Sequence, residues 1–243
     1  MGKRQEIRAR RRRQEVRNRI ITILVVVGLA ALITFALIIP SLKPPSVGNI
    51  TVITPVARTA VMNATSIGDP GAKVRMDVWE DFQCSGCLHY TQGTEPQVIQ
   101  AYVDTGKILY TFHNYPFIDG GQGESHQAAN AAMCASAQGR FWDYHDMLFA
   151  NNIGENAGSF TNPRLVAFAQ KIGLDMTTFN SCFNNNTYRS QIEQDFQAGK
   201  AQGVTATPGI YVDGKVVVSS QGAQIIPSFA EISAAIDADL AAP

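Results

Sequence analysis

Cysteine is scarce in this chain. Four occur in 243 residues: Cys84, Cys87, Cys134 and Cys182. Cys84 and Cys87 form one close pair, and no second close pair accompanies it. A structural zinc site built from two such pairs therefore has no basis here. Charge is also sparse, at 16% against 45% hydrophobic residues. That balance excludes a chain too polar to bury a core. No internal repeat is present, which sets aside arrays of stacked units. The formal net charge is zero.

That zero conceals a segregation. Residues 1–19 carry nine Lys and Arg against Glu6 and Glu15, and the remainder carries 11 basic residues against 18 acidic ones. An acidic body with a basic tail does not suit a nucleic-acid binder. The next stretch, Ile20 to Ile39, has no charge, and Thr22 and Thr34 are its two hydroxyl residues. At about 1.5 Å rise per residue, twenty such residues span a hydrocarbon core of roughly 30 Å. A buried helix of a soluble protein would show a polar face, which is missing here. Arginines on the N-terminal side orient the tail towards the cytoplasm and the body outside it. A cleaved signal peptide has a shorter apolar region ending at a small-x-small site, whereas this one runs into "LIIPSLKPP". An uncleaved, single-pass membrane anchor is expected.

Residues 40–66 read as a linker, with Pro, Ser and Gly gathered in "PSLKPPSVGN" as an extended stalk. "ITVITPVA" within it allows either an edge strand or more linker. The body starts near Ile67. Val74, Met76 and Val78 alternate with Arg75, Asp77 and Trp79, the period of a half-buried strand. Cys84 and Cys87 follow at once. Helical spacing at Leu88, Val98, Ile99, Tyr102 and Val103 comes next, bent around Gly93 and Pro96, and "KILYTFHNYPF" returns to strand. Residues from about 124 to 203 are helical throughout, with Asn162 as a cap and Pro163 at the first position of one helix. Asp213-Gly214 marks a hairpin in "GIYVDGKVVVSS", and a helix over roughly 227–240 closes the chain. Strands interleaved with helices define an α/β domain carrying a helical insertion. His113, His126 and His145 read as packing or surface residues, and Phe141, Trp142, Tyr144 and Phe149 as helix core.

The spacing C-x-x-C serves several chemistries. Haem attachment needs histidine next, and Leu88 stands there. Zinc is poorly served for the reason given above, and no metal site is expected. Thiol–disulfide exchange and a static small-loop disulfide remain. Exchange has a physical basis. A cysteine between a strand and a helix sits at the helix N-terminus, where free amides and the helix dipole favour thiolate. Cys87, one turn on, would be the more buried partner that resolves a mixed disulfide. Cys134 and Cys182 lie in apolar helices without basic neighbours. They read as a disulfide stapling the helical block, or else as two separate buried thiols.

A second element, Thr207-Pro208 in "GVTATPGIYVDGK", precedes a strand about 120 residues after the pair. Together with "GDPGAKVRMDVWEDFQCSGC", "AAMCASAQGRFWDYHDMLF" and "FNSCF", taken in that order, it makes the body resemble DsbA-like thiol:disulfide oxidoreductases. The resemblance is to their membrane-anchored bacterial branch and covers roughly three quarters of the chain. It implies a thioredoxin fold with a helical insertion, Cys84 as nucleophile, Cys87 as resolver and a cis Thr207–Pro208 bond in a substrate-binding loop. It implies cysteine-containing protein substrates in the envelope or outside the cell. It also implies a membrane partner, resembling DsbB or vitamin K epoxide reductase, that reoxidises the pair. No quinone or flavin motif is present, so the redox-active disulfide is the expected electron carrier and no other cofactor is expected. Two departures stand out. Ser85-Gly86 replaces the Pro-His or Pro-Tyr of many relatives; the oxidase direction, formation of disulfides, is expected, with reductase or isomerase as the alternative. Several members also bury an acid six residues before the first cysteine as proton acceptor, and here Val78 stands there. Asp81 and Glu80 are the candidates to replace it, Asp81 preferred, with plain solvation of Asp77, Glu80 and Asp81 as the alternative. A tethered peptide-binding or chaperone domain with structural cysteines is the reading from another class.

Overall fold

The computed structural model describes residues 3–41, 47–54, 58, 60, 62–118, 123–222 and 225–242. The chain divides into two units, Met1–Ser46 and Val47–Pro243. The first is a helix, α1 (Lys3–Ser41). Its stretch Arg12–Phe35 contains 18 residues of mean hydropathy 2.1, and the helix is long and apolar enough to cross a membrane. The hydroxyls of Thr22 and Thr34 donate to the carbonyls of Asn18 and Ala30 at 3.0 and 2.8 Å, so neither depends on solvent for a partner. The basic residues expected as a separate tail continue into the same helix.

The second unit is built on a six-stranded sheet: β1 (Met62–Asn63), β2 (Ser66–Gly68), β3 (Val74–Glu80), β4 (Ile108–Asn114), β5 (Gly209–Val212) and β6 (Lys215–Val216). Their spatial order is β1-β2-β4-β3-β5-β6. β3 and β4 pair in parallel, Met76 beside Tyr110 and Val78 beside Phe112, and every other pairing is antiparallel. The parallel pair needs a crossover. It is supplied by α2 (Ser85–Gly93), α3 (Glu95–Val98) and a π-helical turn over Ile99–Val103. The expected bend falls between Gly93 and Glu95, with Pro96 in the first turn of α3, where its missing N–H costs nothing.

Between β4 and β5 lies the helical block: α4 (Glu124–Ser136), α5 (Phe141–Ala150), α6 (Asn162–Lys171), α7 (Met176–Asn184) and α8 (Arg189–Gln202). A disulfide between Cys134 of α4 and Cys182 of α7 ties it together. α9 (Phe229–Ala241) closes the chain behind a capping box, in which Ser228 and Glu231 bond each other's backbone. β5 and β6 meet at Asp213 (φ 44°) and Gly214 (φ 74°), the left-handed pair a two-residue hairpin requires. Val74, Met76 and Val78 are fully buried in the main core with Tyr110, Phe112 and the aromatics of α5. A smaller cluster of Trp79, Tyr115, Val204 and Tyr211 covers the other face of β3. α8 comes close to that face at Gly199, where a Cβ would stand 2.6 Å from the Trp79 ring.

Two expectations need correction. α6 is capped by Thr161, so Asn162 is the first helical residue and Pro163 the second. The folded unit also begins well before Ile67. Ile50 and Ile53 pack against the core, Thr51 exchanges hydrogen bonds with the Asn151 side chain, and Arg164 donates to the carbonyls of Val47 and Asn49. A polar, Pro-rich composition hides these contacts because most of them use the segment's backbone. Residues 42–46 of the expected stalk lie outside the described residues, and those of "ITVITPVA" that are described form no strand.

Candidate active site

β3 ends at Glu80, the chain turns through Asp81 to Gln83, and α2 starts at Ser85 with Cys84 as its extended N-cap (φ −66°, ψ 124°). The sulfur of Cys84 therefore lies over the unpaired amides of the first helical turn. Cys84 is 8% exposed, and its thiol is 3.4 Å from the Thr207 carbonyl. Its pKa is lowered to about 6. The hydrogen bond from the Cys87 thiol is the largest cause. Burial opposes it, and the Thr207 hydroxyl and the amides of Cys87 and Gly86 add to it. Cys87 is fully buried. Burial first, then its hydrogen bond to Cys84 and the charge of Glu80, push its pKa well above the ordinary thiol value. Both are free thiols. The pair is chemically unequal: Cys84, the less buried sulfur, favours the thiolate near neutral pH, and Cys87, fully hidden, holds its proton.

The Thr207–Pro208 bond is cis. The turn brings Thr207 against the first turn of α2, and a Cβ on Gly86 would stand 3.1 Å from the Thr207 carbonyl oxygen. Gly86 thus permits the close approach of the two segments. Two residues 123 apart in sequence form one site.

The two candidate acids have different surroundings. Asp81 is 1% exposed, and its carboxylate accepts from the amides of Gln83, Phe117 and Ile118 and from the Ser125 hydroxyl. It is a scaffold for the loops around the cysteines, and its side chain has no lone pair to spare for proton exchange. Glu80, also 1% exposed, makes no hydrogen bond of normal geometry through either oxygen. Burial first, then the neighbouring Glu95, raise its pKa well above the carboxylate range, while the Cys87 thiol and Thr91 hydroxyl facing it pull the other way. Neither residue is solvated, and of the two it is Glu80 that faces the Cys87 thiol. Asp77 is not free in solvent either, since it meets His113 Nε2 at 2.7 Å.

The alternation of β3 carried the signal for Glu80. Val74, Met76 and Val78 face the core under α2, and Glu80 has the same parity. It lies one pleat beyond Val78 and so nearer the cysteines. His113 stacks on Trp79, His145 is buried among Phe82, Phe112 and Phe149, and His126 is half-buried in α4. Sequence reasoning missed Glu95, Tyr90, Thr91 and Tyr110, whose polar atoms gather around Glu80. A four-residue spacing through Cys87, Thr91 and Glu95 was the available clue.

A family model described as thioredoxin matches residues 61–238. The probable disulfide bond formation protein D of Bacillus cereus is 24% identical over 177 residues, covering 72% of this chain and 78% of that protein. Oxidised BdbD of Bacillus subtilis superposes with a TM-score of 0.64 at 25% identity, over 75% of this chain and 99% of that one. Oxidised Mtb DsbA superposes with a TM-score of 0.57 at 26% identity, over 75% and 92%. The chain belongs to the thioredoxin family and is a DsbA-like thiol:disulfide oxidoreductase.

Proposed function

We propose that this chain is a membrane-anchored oxidase that forms disulfides in proteins outside the cytoplasm through Cys84 and Cys87. One observation carries the reading: the unequal pair, with Cys84 acidic beside the Thr207 carbonyl and Cys87 buried behind it. In the oxidised pair, a substrate thiolate attacks Cys84 Sγ. The bond to Cys87 breaks, its electron pair stays on Cys87 Sγ, and Glu80 supplies the proton. A second substrate thiolate then attacks the substrate sulfur of the mixed disulfide, and Cys84 leaves as thiolate. The low pKa of Cys84 makes it a good leaving group in that step. The substrate gains one disulfide, and two electrons remain on the pair. The Thr207 backbone receives an extended substrate segment as an added strand.

A membrane protein resembling DsbB or vitamin K epoxide reductase would take those electrons on. The apolar stretch of α1 and the arginines preceding it support an anchor with its N-terminus in the cytoplasm. The Cys134–Cys182 disulfide supports an oxidising compartment for the body. Trapping tests the roles. A Cys87→Ser variant is expected to accumulate mixed disulfides through Cys84, and a Cys84→Ser variant to lose dithiol oxidation. Oxidation persisting without Cys84, or substrate adducts on Cys87, would reverse the assignment.

A further inference from the structure

Opening the disulfide leaves a thiolate on Cys87, and closing it again requires Cys87 to shed a proton. During both steps the mouth at Cys84 is occupied by a partner sulfur and its peptide. Cys87 is fully buried, so its proton needs a second way to solvent. The structure offers one. Cys87, Thr91 and Glu95 follow at four-residue intervals along α2 and the start of α3, which places them in a row on one side. Glu80 faces this row from β3. Glu95 is 5% exposed, yet it and Thr91 line a groove of about 710 Å³. Exposed Gln92, Gln100 and Asp104 stand at the edge of that groove, and neither cysteine nor Thr207 lines it.

The polar atoms along this row are unusual. Buried polar groups are nearly always paired. Here both oxygens of Glu80 and the hydroxyls of Tyr90, Thr91 and Tyr110 are buried with no hydrogen bond of normal geometry. A helical threonine commonly bonds the carbonyl four residues back, and Thr91 does not. Glu95 is faced by Glu80 from β3, Tyr110 from β4, Tyr90 from α2, His145 and Asp146 from α5, and Arg58. Arg58 Nη2 donates to both oxygens of Asp146 at 2.7 and 2.8 Å, which fixes a cation at the groove wall. Burial is the largest influence on Glu95 and, with Asp146, raises its pKa above the ordinary carboxylate value, while His145 and then the Arg58 cation pull the other way.

We propose that the proton exchanged by Cys87 passes through Glu80, the Thr91 hydroxyl and Glu95 to the groove beside α3, so that protons and sulfur chemistry use separate openings. When the disulfide opens, protonated Glu80 gives its proton to the Cys87 thiolate. Protonated Glu95 restores it through the Thr91 hydroxyl, which accepts one proton and passes on its own. Glu95 is then recharged by a proton from the groove. On closure each transfer reverses, and no electrons travel along the route. The inference rests on the proposed roles of Cys84 and Cys87.

The test is stopped-flow closure of the full chain loaded as a Cys84–glutathione mixed disulfide, followed by glutathione release, with Cys84 alkylation measured in parallel on the reduced protein. Glu80→Gln is expected to slow closure by about 100-fold, in the range of general acid–base catalysis. Glu95→Gln and Thr91→Val are expected to slow it about tenfold each, while alkylation of Cys84 stays within about twofold of the parent. Formate entering the groove is expected to restore closure in Glu95→Ala in a concentration-dependent way, which a packing role would not produce. Parent-like closure in Glu95→Gln beside slow closure in Glu80→Gln overturns the route and leaves the oxidase reading standing. Slow closure in Glu95→Ala that formate does not restore also overturns it. Failure of Cys84 to form the mixed disulfide, or of Cys87 to resolve it, overturns the reading beneath.

Discussion

Replacing Cys87 with alanine isolates what makes Cys84 acidic. The Cys87 thiol is the largest cause of the lowered Cys84 pKa, ahead of Thr207 and the helix amides. A hydrogen bond to a charged group contributes about 1.5–3 kcal/mol. At 1.36 kcal/mol per pH unit, losing it moves the Cys84 midpoint from about 6 to between about 7 and 8. The lower end is favoured, because the space left by the removed sulfur also relieves some of the burial that opposes ionisation. The thiolate share at pH 7 then falls from about nine-tenths to between about one-half and one-tenth. Absorbance at 240 nm against pH reads the midpoint, and the pH profile of iodoacetamide alkylation reads it independently. The N-terminus of α2 and the Thr207 loop remain, so the midpoint should stay below the ordinary thiol value of about 8.5. A midpoint unmoved from about 6 in Cys87→Ala would refute the reasoning and leave the helix terminus and the Thr207 loop as the sources.

Removing the disulfide with Cys134→Ala/Cys182→Ala should lower the unfolding free energy by about 4 kcal/mol on the chain-entropy account of a 48-residue separation, read by urea denaturation, with alkylation of Cys84 unchanged. Asp81→Asn turns one of the two acceptor oxygens into an NH2, so either Gln83 and Ser125 or Phe117 and Ile118 face a donor in place of their acceptor, and the change should cost about 1–3 kcal/mol by the same measurement. Burial opposes ionisation of Asp146, but His145 and Arg58 outweigh it and hold its pKa below the ordinary value. That stabilisation is complete above the unfolded value of about 3.9 and is lost as pH falls through the lower native one, so Asp146→Asn should flatten the acid limb of a Tm profile. Glu80 has the opposite sign. Its raised native pKa makes stability fall as pH rises from about 4.3 towards the native value, and Glu80→Leu should remove that slope and stabilise the reduced protein by about 1–4 kcal/mol.

Local pattern carried much of this molecule. The alternation at Val74, Met76 and Val78 marks β3, the C-x-x-C spacing marks the start of α2, and Asp213-Gly214 marks the hairpin. Each is a short-range consequence of backbone geometry. The pairing of Thr207 with Cys84 is long-range, and the family resemblance made it legible where periodicity could not. What stayed hidden was decided by tertiary context. Asp81 and Glu80 are adjacent acids, and sequence distance from Cys84 favours Asp81. The pleat sends Asp81 to the loop amides and Glu80 under the cysteines. Glu95 lies 11 residues beyond Cys84, and the charged groups that act on it, His145, Asp146 and Arg58, come from distant segments. The attachment of residues from Val47 onward was hidden for the same reason: Arg164 meets the backbone of Val47 and Asn49, and backbone has no compositional signature.

The central claim is that Cys84 and Cys87 form an oxidising couple, and equilibration of the full chain with defined glutathione ratios tests it most directly. A thiolate at Cys84 stabilises the reduced pair and makes the disulfide the stronger oxidant. The account predicts a potential towards the about −120 mV of a dedicated oxidase. A potential near the about −270 mV of a reductase would contradict the oxidase direction, and a pair that does not exchange with glutathione at all would contradict the redox role itself.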